Sequence, residues 1–440
     1  MKPSGYNYVL HSDQYAYWFN ALTGASFRIG AALSEKVEYC IDHDINLLKD
    51  NVPEWYNRLV DNGFIINDDV CEIELIRDRY KKAVDNKDYF LIIIPTLNCN
   101  YSCWYCIQNH IPSLMSAETM EAVKKHIDYM IDVEKITSLH IDWFGGEPLM
   151  YFNKVVKPIS EYAKRRCADK DIPFTNGTTS NGYFITEQMA NEMSSLSFSQ
   201  YQITLDGDKQ FHDKVKFVKG CDSTFEHVLR NIDTILTTNP DANIFLRINY
   251  THEHLTLAIV SQVSELIAEA NRNRVTVTPK KVWQEKADPD YYKVLIPILD
   301  AFENAGFRVS RHNMSVQATS CYVCKKYYNC INYNGFAVKC TACDDLYVTE
   351  PKGIISDNGQ IVWSDEFDRK CSEPSFENER CLSCKQLPTC MGLCPRNHIN
   401  GDTFCKNDTS DEIFENSLLN HLIHLHEKVQ PIDLPDRIDT

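Results

Sequence analysis

Cys99, Cys103 and Cys106 stand at gaps of three and two residues in the stretch Leu97-Asn-Cys-Asn-Tyr-Ser-Cys-Trp-Tyr-Cys-Ile107. Three thiolates on one short loop can ligate three irons of a four-iron cluster, because such clusters are held by Cys thiolates. The fourth iron would then have no protein ligand and stay open to a small molecule. A zinc site and three buried thiols are the other readings of the loop. Structural zinc takes four protein ligands, and no fourth lies within this loop. A second concentration sits far downstream. Eleven of the eighteen cysteines are Cys321, Cys324, Cys330, Cys340, Cys343, Cys371, Cys381, Cys384, Cys390, Cys394 and Cys405. No signal-peptide core follows Met1-Lys-Pro-Ser-Gly, so the set does not read as a disulfide framework. It reads as a metal-loaded module, for iron–sulfur clusters or for a zinc-ribbon pair.

The elements that must position the first loop are strands and helices in alternation. Strand-like runs occur at Tyr89–Pro95, Ser138–Trp143, Pro173–Thr179, Gln200–Leu205, Asn243–Tyr250 and Arg274–Thr278. Between them lie amphipathic helices. One carries Met120, Val123, Ile127, Met130 and Ile131 on one face; another opens at Ser223 with Glu226 as a capping box, followed by Phe225, Val228, Ile232 and Ile235. Six such units predict a parallel sheet with helices packed outside. Sheets of this kind carry their sites at the carboxyl ends of the strands, and the Cys loop directly follows the first strand. The other strand ends hold chemistry too. Asp142-Trp-Phe-Gly-Gly-Glu-Pro148 offers Gly145 and Gly146 for close backbone approach and Glu147 as an acceptor. Thr179-Ser-Asn-Gly182 offers Ser180 and Asn181, and Thr204-Leu-Asp-Gly207 places Asp206 toward a reaction chamber. Arg247 and Asn249 lie two apart, hence on one face of a strand, and a guanidinium suits bidentate carboxylate binding.

The Cys loop, with aromatic Tyr105 before its last Cys, closely resembles the signature of the radical S-adenosylmethionine (radical SAM) enzymes. The ordered motifs at the later strand ends extend the resemblance over residues 89–280. It implies a [4Fe–4S] cluster on Cys99, Cys103 and Cys106 whose open iron is chelated by SAM. One electron then cleaves the sulfonium and releases a 5′-deoxyadenosyl radical. By the same resemblance Tyr105, Gly145, Gly146, Glu147, Ser180, Asn181, Arg247 and Asn249 bind the cofactor, Arg247 at its carboxylate, and Asp206 is the catalytic candidate. Lys216 departs from the pattern, since family members often carry Arg there.

The C-terminal cysteines resemble the SPASM extension of radical SAM peptide maturases. One auxiliary [4Fe–4S] cluster would use Cys340, Cys394 and some of Cys321, Cys324 and Cys330. The other would use Cys381, Cys384, Cys390 and Cys405, leaving Cys343 and Cys371 surplus. The implied substrate is a ribosomally made precursor peptide, the implied product a crosslink such as a thioether, and the implied electron donor a flavodoxin- or ferredoxin-like protein. An anaerobic sulfatase-maturating enzyme shares this architecture. Those enzymes carry Asp directly after the Cys that closes a Gly-x4-Cys unit, where this chain has Thr341. A non-catalytic iron–sulfur binding protein is the third reading.

At 440 residues two or three domains are expected. The expected architecture is α/β: a partial (β/α)6 barrel (89–280) with a small α+β appendage (1–88), a bridge (281–315) and a loop-rich iron–sulfur domain (316–440). The appendage loosely resembles small winged-helix elements that bind leader peptides. A net charge of −16 argues against nucleic acid as a partner and suits a basic peptide. No apolar run approaches a membrane span, so the expectation is a cytoplasmic protein.

Overall fold

The computed structural model describes residues 1–286, 292–311, 315–342, 346–348, 350–399, 401, 405 and 411–427. The chain forms two compact units. One joins Met1–Asn86, His312–Lys326 and Arg369–Thr440; the other joins Lys87–Arg311 and Tyr327–Asp368. Within the expected bridge a helix spans Tyr292–Asn304. No described helix is long and apolar enough to cross a membrane.

In the first unit β1 (Lys2–Pro3) precedes a three-stranded antiparallel sheet of β2 (Asn7–His11), β3 (Tyr15–Asn20) and β4 (Ser26–Gly30). Helices α1 (Ala31–His43), α2 (Ile45–Asn51) and α3 (Pro53–Asp61) follow, then β5 (Ile65–Ile66), which pairs with β1, and α4 (Glu72–Val84). Side chains alternate across a strand, and here both faces are covered. Ala16 and Trp18 of β3 join Phe27, Val37, Leu48, Trp55 and Leu59 in a core with α1–α3. Tyr17 and Phe19 of β3, with Tyr8 and Leu10 of β2, join Phe376, Leu387, Met391, Leu418 and Leu422. The first 86 residues are therefore not a separable appendage. The apolar second face of their sheet requires a cover, and the C-terminal segment supplies it.

The second unit holds an eleven-stranded sheet. Its parallel part is β6 (Asp88–Ile93), β7 (Ser138–Trp143), β8 (Phe174–Ser180), β9 (Phe198–Asp206), β10 (Asn243–Tyr250) and β11 (Val275–Lys281), each paired with the next. All six expected strands are present, and in this order. Helices α5 (Ala117–Tyr129), α6 (Lys157–Ala168), α7 (Glu187–Ser195), α8 (Lys209–Val215) and α9 (Thr224–Thr238) join them. Ser223 caps α9 by accepting from Glu226 N at 3.2 Å. The Glu226 carboxylate does not return the bond to the cap; it pairs with Lys209 and Arg230.

β12 (Arg308–Val309) extends the β11 edge, while β13 (Tyr328–Ile331), β14 (Phe336–Val338), β15 (Gly353–Ile355) and β16 (Ile361–Trp363) extend the β6 edge. The expected boundary at residue 316 thus differs from the observed one, since β13–β16 belong to the barrel's own sheet. The physical reason is the open edge of β6, whose unpaired N–H and C=O groups take β13 in parallel register, Cys330 beside Ile92. His126 of α5 reinforces the extension: Nδ1 lies 2.7 Å from Gly359 O, and Nε2 lies 2.5 Å from Tyr89 Oη. Asn329 donates to the same Tyr89 oxygen.

Candidate functional site

The loop after β6 is fixed before its thiols are reached. Thr96 Oγ1 donates to Ser113 O at 2.6 Å and accepts from Asn98 N at 2.9 Å, while Ser113 Oγ accepts from Leu97 N. The glycines after β7 complete the brace. Gly146 N donates to Thr96 O and Glu147 N to Asn98 O. A Cβ on Gly146 would stand 2.2 Å from Asn98 O, and one on Gly145, whose φ is +134°, would stand 2.3 Å from Thr96 O. The close approach permitted by the two glycines is first of all to the backbone of the Cys loop.

Cys99, Cys103 and Cys106 line one cavity of about 230 Å³ together with Tyr105, Gly145, Gly146, Ser180, Asn181, Arg247 and Asn249. Burial pushes the Cys99 and Cys103 thiols up to about 11 each. Asn181 Nδ2 donates to Asn100 Oδ1 at 2.8 Å and approaches Cys99 Sγ at 3.8 Å. Thiols gathered at one wall, with amide and guanidinium donors facing them, are a donor set suited to an iron cluster and an anionic ligand beside it.

Two of the expected site residues stand behind this wall. Glu147 is fully buried and accepts from Leu149 N, Ser180 Oγ and Asn181 N at 3.0, 2.9 and 2.8 Å. It ties the end of β7 to the end of β8, so its carboxylate is committed to the protein. Asp206 is also fully buried. Its Oδ1 accepts from Tyr105 Oη at 2.5 Å and Asn249 Nδ2 at 3.3 Å, and lies 3.5 Å from Lys216 Nζ. Its Oδ2 has no hydrogen-bond partner among the described residues. In this position Asp206 sets the pose of Tyr105, Asn249 and Lys216, which do face the cavity. Arg247 Nε donates to Asn249 Oδ1 at 2.8 Å and joins the same network.

Lys216 was not foreseen as a member of this wall. It is 2% exposed and donates to Thr204 O and Thr204 Oγ1 at 2.7 and 2.8 Å. A signal existed, because Lys216 follows His212 by four residues and shares its helical face. His212 itself supports Asp206, its Nδ1 accepting from Asp206 N at 3.2 Å. Burial holds the His212 imidazole well below its usual range, with the Lys216 charge adding to the effect, so the ring is neutral.

A prediction attaches to Glu147, whose pKa burial pushes up to about 7 from an ordinary 4.5. The folded state binds this proton more tightly than the unfolded state. The resulting stabilisation is complete below pH 4.5 and is lost as the pH rises to about 7. In E147Q this contribution disappears, so urea unfolding of the apoprotein should depend less on pH across that window. Asp142, also pushed up to about 7 by burial, keeps its own share of the dependence. The amide also presents an N–H to donors, which should lower stability by about 1–3 kcal/mol near neutral pH.

The C-terminal cysteines gather separately. Cys381, Cys384, Cys390 and Cys405 line one cavity of about 380 Å³ in the first unit, with Tyr8, Lys385, Gly392 and Phe414. Lys385 Nζ stands 4.4 Å from the Tyr8 ring centroid. Cys321, Cys324, Cys371 and Cys394 belong to the same unit, and Cys330 and Cys340 to the other. Cys324 and Cys371 lie near Tyr80. Cys330 is packed among Ile92, Ile94, Val338 and Leu346. Cys340 Sγ accepts from Ala342 N at 3.4 Å. Cys343 lies outside the described residues. None of the seventeen described cysteines is in a disulfide.

Residues 93–254 match the family model of the Radical SAM superfamily. Over 192 residues the chain is 25% identical to the radical SAM cyclopropyl synthase TigE of Paramaledivibacter caminithermalis, covering 36% of this chain and 39% of that protein. Over 163 residues it is 25% identical to a serine-type anaerobic sulfatase-maturating enzyme of Bacteroides thetaiotaomicron, covering 34% and 37%. The matches thus span about two-fifths of the length of these curated relatives. Native anSMEcpe with bound AdoMet and Kp18Cys peptide shares the fold, with a TM-score of 0.55 and 18% identity over 77% of this chain and 99% of that one. The matched residues run from the end of β6 through β10 and include the Cys loop.

Proposed function

We propose that the chain is a radical SAM enzyme that modifies a ribosomally made peptide, with a thioether or related crosslink as product. The observation that carries this reading is the convergence of Cys99, Cys103 and Cys106 with Ser180, Asn181, Arg247 and Asn249 on one cavity at the carboxyl ends of the strands. In this reading the three thiols hold the cluster, while Tyr105, Gly145, Gly146, Ser180, Asn181, Arg247 and Asn249 hold SAM. When bound, the pair supplies a carbon-centred radical able to remove an unactivated hydrogen. The chain's own part is positional. Glu147 locks Ser180 and Asn181 in place, and Asp206 with Lys216 fixes Tyr105 and Asn249, so the ligand-facing groups need little reorganisation. Cys381, Cys384, Cys390 and Cys405 are assigned to an auxiliary [4Fe–4S] cluster, since four thiols around one cavity suit it. The electron donor would be flavodoxin- or ferredoxin-like.

Arg247 tests the SAM assignment. Removing its guanidinium in R247L should weaken SAM binding by about tenfold or more, with iron content unchanged; equal affinity would remove Arg247 from the site. A second reading, sulfatase maturation, is favoured by the match to the sulfatase-maturating enzyme; Thr341, where such enzymes carry Asp, favours the first. Mass spectrometry separates the two. Reconstituted protein with SAM and reductant is offered a sulfatase-derived Ser or Cys peptide and, separately, the short peptides encoded beside it. Loss of two hydrogens from the sulfatase peptide selects the second reading. A crosslink in a neighbouring peptide selects the first, and absence of both rejects each.

A further inference from the structure

Inside the barrel β6 is covered, Phe90 and Ile92 packing with Tyr328, Cys330, Val338 and Leu346, whereas the inward positions of β7–β9 are largely polar. Along β7 the outward residues Leu139, Ile141 and Trp143 are buried, whereas inward His140 and Asp142 keep partial solvent contact. Inward Thr175 of β8 and Gln200 of β9 are exposed, and Gln202 and Thr204 are half-buried. A closed barrel fills such positions with branched side chains; here His140, Asp142, Thr175, Gln200 and Gln202 occupy them. Two residues beyond Asp142, Phe144 lines the cavity of the Cys loop.

Three carboxylates occupy inward positions on these strands, and two are engaged. Asp88 accepts from Thr137 and Ser138 at 2.9 Å each, and Asp206 from Tyr105 and Asn249. Asp142 has neither a hydrogen bond nor an ion pair with any described residue. Its neighbour His140 does not supply a charge: Nδ1 lies 2.7 Å from Thr175 Oγ1, and burial lowers the ring to about 4. Across the register stands Gly177, where a Cβ would lie 2.8 Å from Asp142 Oδ1 and 3.1 Å from His140 Nε2. Any larger residue there would crowd the carboxylate. An enclosed, uncompensated carboxylate is costly, and an arriving cation would offset that cost. The chain's net charge of −16 favours the same partner.

We propose that the polar inner face of β7–β9 receives an extended stretch of the substrate peptide, and that Asp142 is the contact for a lysine or arginine side chain within it. This rests on the reading of a peptide substrate. It adds the side-chain class that the barrel selects.

The test is a display selection. Random hexapeptides are selected for binding to the SAM-loaded, cluster-bearing wild type, to D142N and to D142L. Wild type should enrich Lys or Arg at one peptide position by about tenfold or more over the library, as loss of a charge-assisted contact implies. Both variants should lose that preference. Replacing the selected Lys or Arg with Met should weaken binding to wild type and leave D142N unaffected, which isolates the pair. D142N is isosteric and carries the test if D142L misfolds by circular dichroism. The same Lys or Arg preference in D142N, or a preference of wild type for Ser, Thr, Cys or apolar residues instead, overturns the role of Asp142 alone. A wild type that enriches no peptide overturns the peptide-substrate reading together with it.

Discussion

Replacing Cys99, Cys103 and Cys106 together with alanine should reduce SAM cleavage to background, with peptide or without it. Nothing else on the wall of this cavity can substitute as a soft ligand: its other members offer amide, hydroxyl, guanidinium and imidazole groups. The loop should nevertheless keep its course. Its anchors are Thr96 to Ser113, Gly146 to Thr96 and Glu147 to Asn98, and none of these bonds involves a thiol. The variant therefore separates loss of the ligand set from loss of the fold, which circular dichroism checks. The comparison is Cys381, Cys384 and Cys390 changed together to alanine. Those thiols line a cavity in the other unit. If they serve an auxiliary cluster, SAM cleavage driven by a strong reductant should persist while peptide modification stops. Cleavage by the first variant at the wild-type rate would remove the Cys loop from the mechanism.

The barrel was legible because its strands obey simple physics. Runs such as Phe90-Leu-Ile-Ile-Ile are apolar enough to be buried, and glycines and polar clusters punctuate them. The spacing of the three thiols showed that they share one loop, but not what they hold. The depth of the acidic groups was not legible. Glu147 and Asp206 sit at strand ends, as a residue facing the chamber would, yet both are fully buried and point into protein. A strand end fixes where a residue lies along the sheet, but partners contributed by distant loops decide what its carboxylate meets. Ser180, Asn181 and Tyr105 are 33, 34 and 101 residues from the acids they serve. Edge pairing was equally hidden. Tyr328–Ile331 is a four-residue run broken by Asn329, and nothing local says that it will extend β6 rather than remain within a cysteine module.

The same limit governs the N-terminal segment, and there it yields a large expected effect. Read alone, residues 1–88 form a small α+β element that could be removed. In the structure β3 is buried on both faces: Ala16 and Trp18 toward α1–α3, Tyr17 and Phe19 toward the C-terminal segment. Deleting residues 1–86 would uncover Phe376, Leu387, Met391, Leu418 and Leu422, and would remove Tyr8 from the wall of the cavity lined by Cys381, Cys384, Cys390 and Cys405. Losing one large core side chain costs about 2–5 kcal/mol. Tyr8, Leu10, Tyr17 and Phe19 would go together, a loss of about 8–20 kcal/mol by that measure, as large as the roughly 5–15 kcal/mol that holds a typical domain folded. The truncated protein should therefore fail to retain iron at its C-terminal cysteines and should expose apolar surface. The barrel has its own core, running from Tyr89 through Phe307, and should keep the Cys-loop cluster. Iron analysis and dye binding of the truncated protein, beside the intact chain, provide the measurement. An iron content equal to that of the intact chain, with no gain in dye binding, would show that the segment is a dispensable appendage after all. A milder variant guards against general misfolding. Y17A with F19A leaves the α1–α3 core untouched and should weaken iron retention in the same direction, because both side chains face only the C-terminal cover.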